Sequence, residues 1–242
     1  MDTAPASHLA MLFQQRKELA TQRRRIERAH CLAVLDHIAA SIRRTCPEAA
    51  YVNFAYYGNS RTLDLLGVLG GQPSPLGACP WLWGGRDEGH PLAELADQIK
   101  RDVETALAPT RSPAWAMVRR DGVSDGNSWL LELPPPDRAA RIAQLVREHH
   151  PEATALIVDG RPAGGRILEV VEGISDDGTE NRTRRRRWTP ECEEVLRRLV
   201  AQIFAVPALA ERHLMPIDDL YTHPYDSTPG HLVRLMRLPP VA

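Results

Sequence analysis

Within the run Arg86-Asp87-Glu88-Gly89-His90 a cation, two carboxylates and an imidazole fall inside five residues, just ahead of a segment with helical periodicity. Such side chains could move protons to and from a bound molecule if a cleft shifted their pKa values. Trp81 and Trp83 lie a few residues upstream and could roof that pocket. Asp87 or His90 acting simply as a helix-entry residue is the competing reading, and the pattern favours it.

A second cluster runs from the acidic Asp176, Asp177 and Glu180 into Arg182 and Arg184-Arg185-Arg186-Arg187, and closes on Trp188. Arginine forks suit phosphates and tryptophan faces suit bases, so the combination points to nucleic acid. A solvated loop neutralised by its own acidic neighbours is the plainer account. The candidate ligand-binding residues are therefore Trp81, Trp83, Arg86, Asp87, His90, Arg184, Arg186 and Trp188.

Other chemistry is thinly represented. His149-His150 stands at a predicted helix end, where adjacent residues point about 100° apart and cannot share a metal from one face. His223, Asp226 and His231 have metal-capable side chains without the spacing of a known site. Gly160 with Gly164-Gly165 lacks the Gly-Lys-Ser/Thr ending of a phosphate loop and reads as a turn between strands. Neither a Gly-x-Ser-x-Gly elbow nor a His-Glu-x-x-His pair occurs. Cys31, Cys46, Cys79 and Cys192 are scattered, without zinc or dithiol spacing. No metal, no cofactor and no assigned catalytic residue follow.

The chain has 242 residues, 43% hydrophobic and 25% charged, which are values of an ordinary folded protein. Its formal net charge of −1 supplies no global field for nucleic acid or an acidic membrane, so any such binding must be local. Lys17 and Lys100 are the only lysines. With no stretch near the roughly 20 apolar residues of a membrane span and no secretory leader at the start, a cytoplasmic protein is expected.

Helical periodicity dominates from Ala6 to about Cys46, with a core stripe at Cys31, Leu35, Ile38, Ile42 and Cys46. Ahead of it Leu12, Leu19, Ile26 and Ala33 recur every seven residues, beside a mostly polar second seam at Leu9, Arg16, Arg23 and His30. Three strand-strand-helix units follow. The first pairs residues 50–56 with 61–69 and leads to a helix over 91–107. The second pairs 115–119 with 129–133 and leads to a helix over 137–149. The third pairs 153–158 with 166–172 and leads to a helix capped by Thr189. The connections 70–90 and 173–188 are long and carry the two chemical clusters.

One self-similarity organises the whole. Ile38-Ala39, Ile42-Arg43 and Pro47-Glu48-Ala49 align without a gap on Ile142-Ala143, Val146-Arg147 and Pro151-Glu152-Ala153, at an offset of 104 residues. The expected fold class is α+β: a long N-terminal helix, mixed or mostly antiparallel sheet with helices packed on it, and internal duplication of 31–107 in 135–206. Residues 1–30 form a helical arm, 31–206 the α+β domain and 207–242 a wrapping tail of short helical turns. Function reads as a non-catalytic cytoplasmic binding or adaptor module, with a protein partner or self-association through the N-terminal helix and a ligand at the two loops. Nucleic-acid binding through Arg184–Arg187 and the tryptophans is the first alternative, and a small-molecule enzyme with its site at Trp81–His90 is the second.

Overall fold

The computed structural model describes residues 4–57, 62–71, 79–109, 112–121, 127–160, 165–174, 180–183, 188–217 and 232–240. The chain divides into two compact units, Met1–Pro136 and Asp137–Ala242. Among the described residues each unit holds one five-stranded antiparallel sheet, so the class is α+β. The boundary falls inside the stretch 31–206 that the sequence presents as one domain.

In the first unit, helix α1 (Ala4–Arg43) is unbroken over 40 residues. Its second half buries Cys31, Leu32, Leu35, Ile38, Ala39 and Ile42 at helical spacing. Strands β1 (Ala49–Tyr57), β2 (Thr62–Gly70) and β3 (Trp81–Gly84) follow, then a 3-10 helix, Pro91–Leu95, and α2 (Ala96–Leu107). A second 3-10 helix, Pro113–Met117, leads to β4 (Val118–Arg120) and β5 (Ser128–Glu132), giving the sheet order β3-β2-β1-β5-β4. Helix α2 packs on α1 and β2 and buries Ile99, Val103, Ala106 and Leu107. An exposed contact of 3.1 Å between His37 and Asp102 adds little to the apolar seam.

The second unit repeats this sequence of elements. Helix α3 (Arg138–Arg147), capped by the Asp137 carboxylate, precedes β6 (Ala155–Asp159), β7 (Arg166–Ile174) and β8 (Glu180–Thr183). Helix α4 (Pro190–Ala205), capped by the Thr189 hydroxyl, and α5 (Pro207–His213) lead to β9 (Leu214–Met215) and β10 (Val233–Arg237). The order β8-β7-β6-β10-β9 is that of the first sheet, element for element.

The match extends to single hydrogen bonds. Cys46 N–H donates to Ile42 O and Ala49 N–H to Cys46 O; 104 residues on, His150 N–H donates to Val146 O and Ala153 N–H to His150 O. The bulge between Asn53 and Phe54 in the β1–β2 ladder recurs between Ile157 and Val158 in β6–β7. Beyond the hairpin the offset falls to 102, because Val52 pairs with Val68 where Leu156 pairs with Val170. Two fewer residues lie in the second hairpin. The gapless sequence alignment therefore sets Asp64 against Leu168 and Val68 against Glu172, whereas the ladders set Val68 against Val170.

All three expected strand pairs exist, but the first two share one sheet. Several local readings are corrected. Residues 115–117 belong to a 3-10 turn, because Ser112 accepts from Ala114 N–H and Pro113 occupies the first helical position, so the strand starts at Val118. The connection 70–90 contains β3, and 173–188 contains β8. The tail is more than wrapping turns: β10 lies between β6 and β9, with Val233 and Met236 buried.

Helix α4 sits on Gly165, where an added Cβ would come within 2.5 Å of the Ala201 nitrogen and the Val200 Cγ1. Replacing Gly165 with Ala is expected to lower unfolding free energy by about 1–3 kcal/mol in chemical denaturation, as overpacking does. Gly84, with nothing within 4 Å of its added Cβ, should tolerate Ala within about 0.5 kcal/mol. Equal effects at the two positions would contradict this placement of α4.

Candidate functional site

Strand β3 turns the alternation Trp81-Leu82-Trp83 into two opposite faces. Trp81 is 56% exposed, while Trp83 is 2% exposed and belongs to the core. The indole N–H of Trp83 donates to the Asp87 carbonyl at 3.1 Å, and its ring stacks on His90 at 6.4 Å. His90 Nδ1 accepts from Leu92 N–H at 3.1 Å and so caps the 3-10 helix. Nδ1 is thereby the acceptor nitrogen of the neutral ring, occupied by structure.

The side chains of Arg86, Asp87 and Glu88 are exposed on the turn between β3 and the 3-10 helix. What Asp87 contributes to the fold is backbone: its N–H donates to Gly84 O and its carbonyl holds Trp83. The structure thus brings Trp83, Asp87 and His90 together as a closed turn, with Trp81 and Arg86 outside it. Gly67 is part of this arrangement, at φ +149°, since a Cβ there would lie 2.2 Å from the Trp83 carbonyl oxygen.

Of the second cluster, Trp188 is buried immediately before the Thr189 cap. Arg184, Arg186 and the rest of that arginine run lie outside the described residues. Arg182, on β8, stands 3.9 Å from the buried Glu169 carboxylate. His223, Asp226 and His231 also lie outside the described residues. Among the described residues no group of three or more His, Cys, Asp or Glu is placed to hold a metal, and no helix is long and apolar enough to cross a membrane.

Two polar arrangements were not legible in the sequence. In the second unit His150 is buried, with Nδ1 2.5 Å from Glu172 Oε1 and its ring edge-on to Trp188 at 5.4 Å. His150 Nε2 and Trp188 Nε1 are buried without a hydrogen-bond partner among the described residues. Glu172 borders an open groove of about 490 Å³ that Pro151, Glu152, Asn181 and Arg182 also line. Because the imidazole is wholly covered, it orients Glu172 and does not itself reach a molecule in the groove. In the first unit the Ser128 hydroxyl donates to Asn53 Oδ1 at 2.6 Å and lies 3.3 Å from Asp121 Oδ2, a network in which Ser128 and Asn53 are buried and Asp121 is partly exposed.

Candidate nucleophiles fare no better as reactive groups. All four cysteines are free thiols. Burial, reinforced by Glu48, pushes the Cys46 thiol above its ordinary pKa, and burial with Glu148 does the same for Cys192. A raised pKa leaves little thiolate at neutral pH.

The largest anomaly of the surface is α1. Every residue from His8 to Ile26 is exposed, including Leu9, Met11, Leu12, Phe13, Leu19 and Ile26, at 44 to 71%. This arm of about 28 Å was legible as half a heptad pattern; what the sequence withheld was whether it projects or folds back. Comparison with protein-family models, with curated proteins and with solved structures finds no match for this chain.

Replacing Arg86, Asp87 and Glu88 together with Ala should leave thermal stability nearly unchanged, within about 0.5 kcal/mol, because only backbone atoms of this turn are used. Glu172→Ala should cost about 1–3 kcal/mol by leaving the buried His150 Nδ1 unpaired. The opposite ranking would show that this turn and this pair are wrongly assigned.

Proposed function

We propose that the protein is a non-catalytic binding or adaptor module and that the N-terminal half of α1 is its principal contact surface. The observation that carries this reading is the 19-residue run, His8 to Ile26, in which six large apolar side chains have no cover. Singly scattered exposed apolar residues are normal in folded proteins, but six on one uncovered helical segment, four of them at 3-4 spacing, are a docking feature. The second half of α1 anchors the arm by burying Leu32, Leu35, Ile38 and Ile42 in the first unit.

The shared order of the two sheets fits internal duplication, with the arm added to the first copy only. Trp81 on β3 and the Glu172 groove are secondary contact points on this reading. Support for catalysis is weaker, since the His90 imidazole is engaged in the β3 turn, the Asp87 carboxylate lies exposed on it, and burial raises the Cys46 and Cys192 thiol pKa values. Nucleic-acid binding through Arg184–Arg187 keeps its basis in the sequence alone.

A photo-crosslinking amino acid placed at Leu12 or Ile26 in the full chain should give discrete adducts of defined mass in living cells. The same group at exposed Glu104, on α2, should give none. Adducts from all three positions alike, or from Glu104 only, would contradict use of the arm.

A further inference from the structure

We infer that the arm docks an acidic amphipathic helix of a different protein and not a second copy of itself; this rests on the binding reading above. Leu9, Leu12, Leu19 and Ile26 fall on a 3-4 spacing in which Leu12, Leu19 and Ile26 repeat every seven residues. That is the seam one partner helix covers in a coiled coil, with Met11 and Phe13 flanking its first turns. An interfacial membrane helix sustains a broad apolar face along its length, whereas from Gln14 to Ile26 only Leu19 and Ile26 are large and apolar.

The alternate core position of the same seam is Leu9, Arg16 and Arg23. From His8 to Ile26 there are five basic side chains, Arg16, Lys17, Arg23, Arg24 and Arg25, against the single acid Glu18, a net charge of +4. Glu18 already accepts a hydrogen bond from Gln14 at 2.9 Å, and Arg23 lies 2.7 Å from Glu27 in an exposed pair of small energetic weight. Two such arms laid in parallel would set Arg16 on Arg16 and Arg23 on Arg23 inside the seam. Laid antiparallel they would still bring +4 against +4. Like charges in or beside a seam specify against self-pairing, and opposite charges select a partner. A helix with leucine at its d positions and glutamate at its a positions satisfies both the apolar and the charged half of the pattern. Nucleic acid would satisfy the arginines but leave Leu12, Phe13, Leu19 and Ile26 in water.

The probe is a synthetic 21-residue peptide of three heptads with Leu at d and Glu at a, compared with the same peptide carrying Lys at a. Titrated against the full-length protein by fluorescence anisotropy, the glutamate peptide should bind at least about tenfold more tightly than the lysine peptide, and salt should weaken it. Arg16→Glu together with Arg23→Glu should reverse the preference. Because these side chains are exposed, the double variant keeps the folded core, and the gain of lysine-peptide binding distinguishes reversal from simple loss. Equal binding of the two peptides, or none, overturns the inference. So does arm-dependent self-association in sedimentation equilibrium, or tighter binding to anionic phospholipid vesicles or to a 20-nucleotide single strand than to the glutamate peptide. A failed peptide test beside positive crosslinks from Leu12 would remove the acidic-helix partner and leave the binding reading standing.

Discussion

One arginine closes each unit. Arg43, at the end of α1, donates through Nε to Ala49 O at 3.1 Å and through a terminal nitrogen to Pro134 O at 2.5 Å. Arg147, at the end of α3, makes the same two bonds, to Ala153 O at 3.2 Å and Pro239 O at 2.7 Å. Each guanidinium therefore ties a helix end to the start of the central strand and to chain about 90 residues away. The acceptor is a proline in both cases. Proline has no N–H to extend the ladder, so the strand stops and its carbonyl is available to the arginine. A lysine would offer a point charge in place of this fork. Partial burial draws the Arg43 pKa below its ordinary value, with Asp36 opposing the shift, but a guanidinium remains charged at any physiological pH.

With the frame fixed in this way, the two units are free to differ where the clamp does not reach. The Cys46 position of the first unit is His150 in the second, and the ladders place Glu172 where the first unit has Gly70. That exchange creates the His150–Glu172 pair. Asn53 and Ser128, hydrogen-bonded to one another in the first sheet, give way to Ile157 and Val233, which join an apolar cluster with Ala155 and Val171. The asymmetry between the units lies in these substitutions and in the arm, which precedes the first unit alone.

Helices α1 to α4 were legible because each carries about three or more turns of periodic burial, and α4 also shows its Thr189 cap and first-turn proline, whereas α5 is seven residues long and buries none of them. The helix-to-strand junction was legible twice because Pro-Glu-Ala and the arginine ahead of it are held by the same bonds. Strands β3, β8 and β9 span four, four and two residues, too few for a period of two to stand out. Strand β10 is hidden in a tail punctuated by prolines. At the candidate sites, the sequence placed Trp83 and His90 near one another but not the burial of Trp83 or the capping role of His90, which depend on β3 pairing with β2. His150 was visible and its partner was not, since Glu172 meets it only through the β6–β7 register.

Hydrogen exchange read by mass spectrometry tests the clamp most directly. With Arg43→Leu, amides of β1 and β5 should exchange faster while β6 and β10 keep the rates of the unsubstituted protein, and Arg147→Leu should do the reverse. If either substitution loosens both sheets equally, or neither, the two arginines do not close two separate copies of one fold.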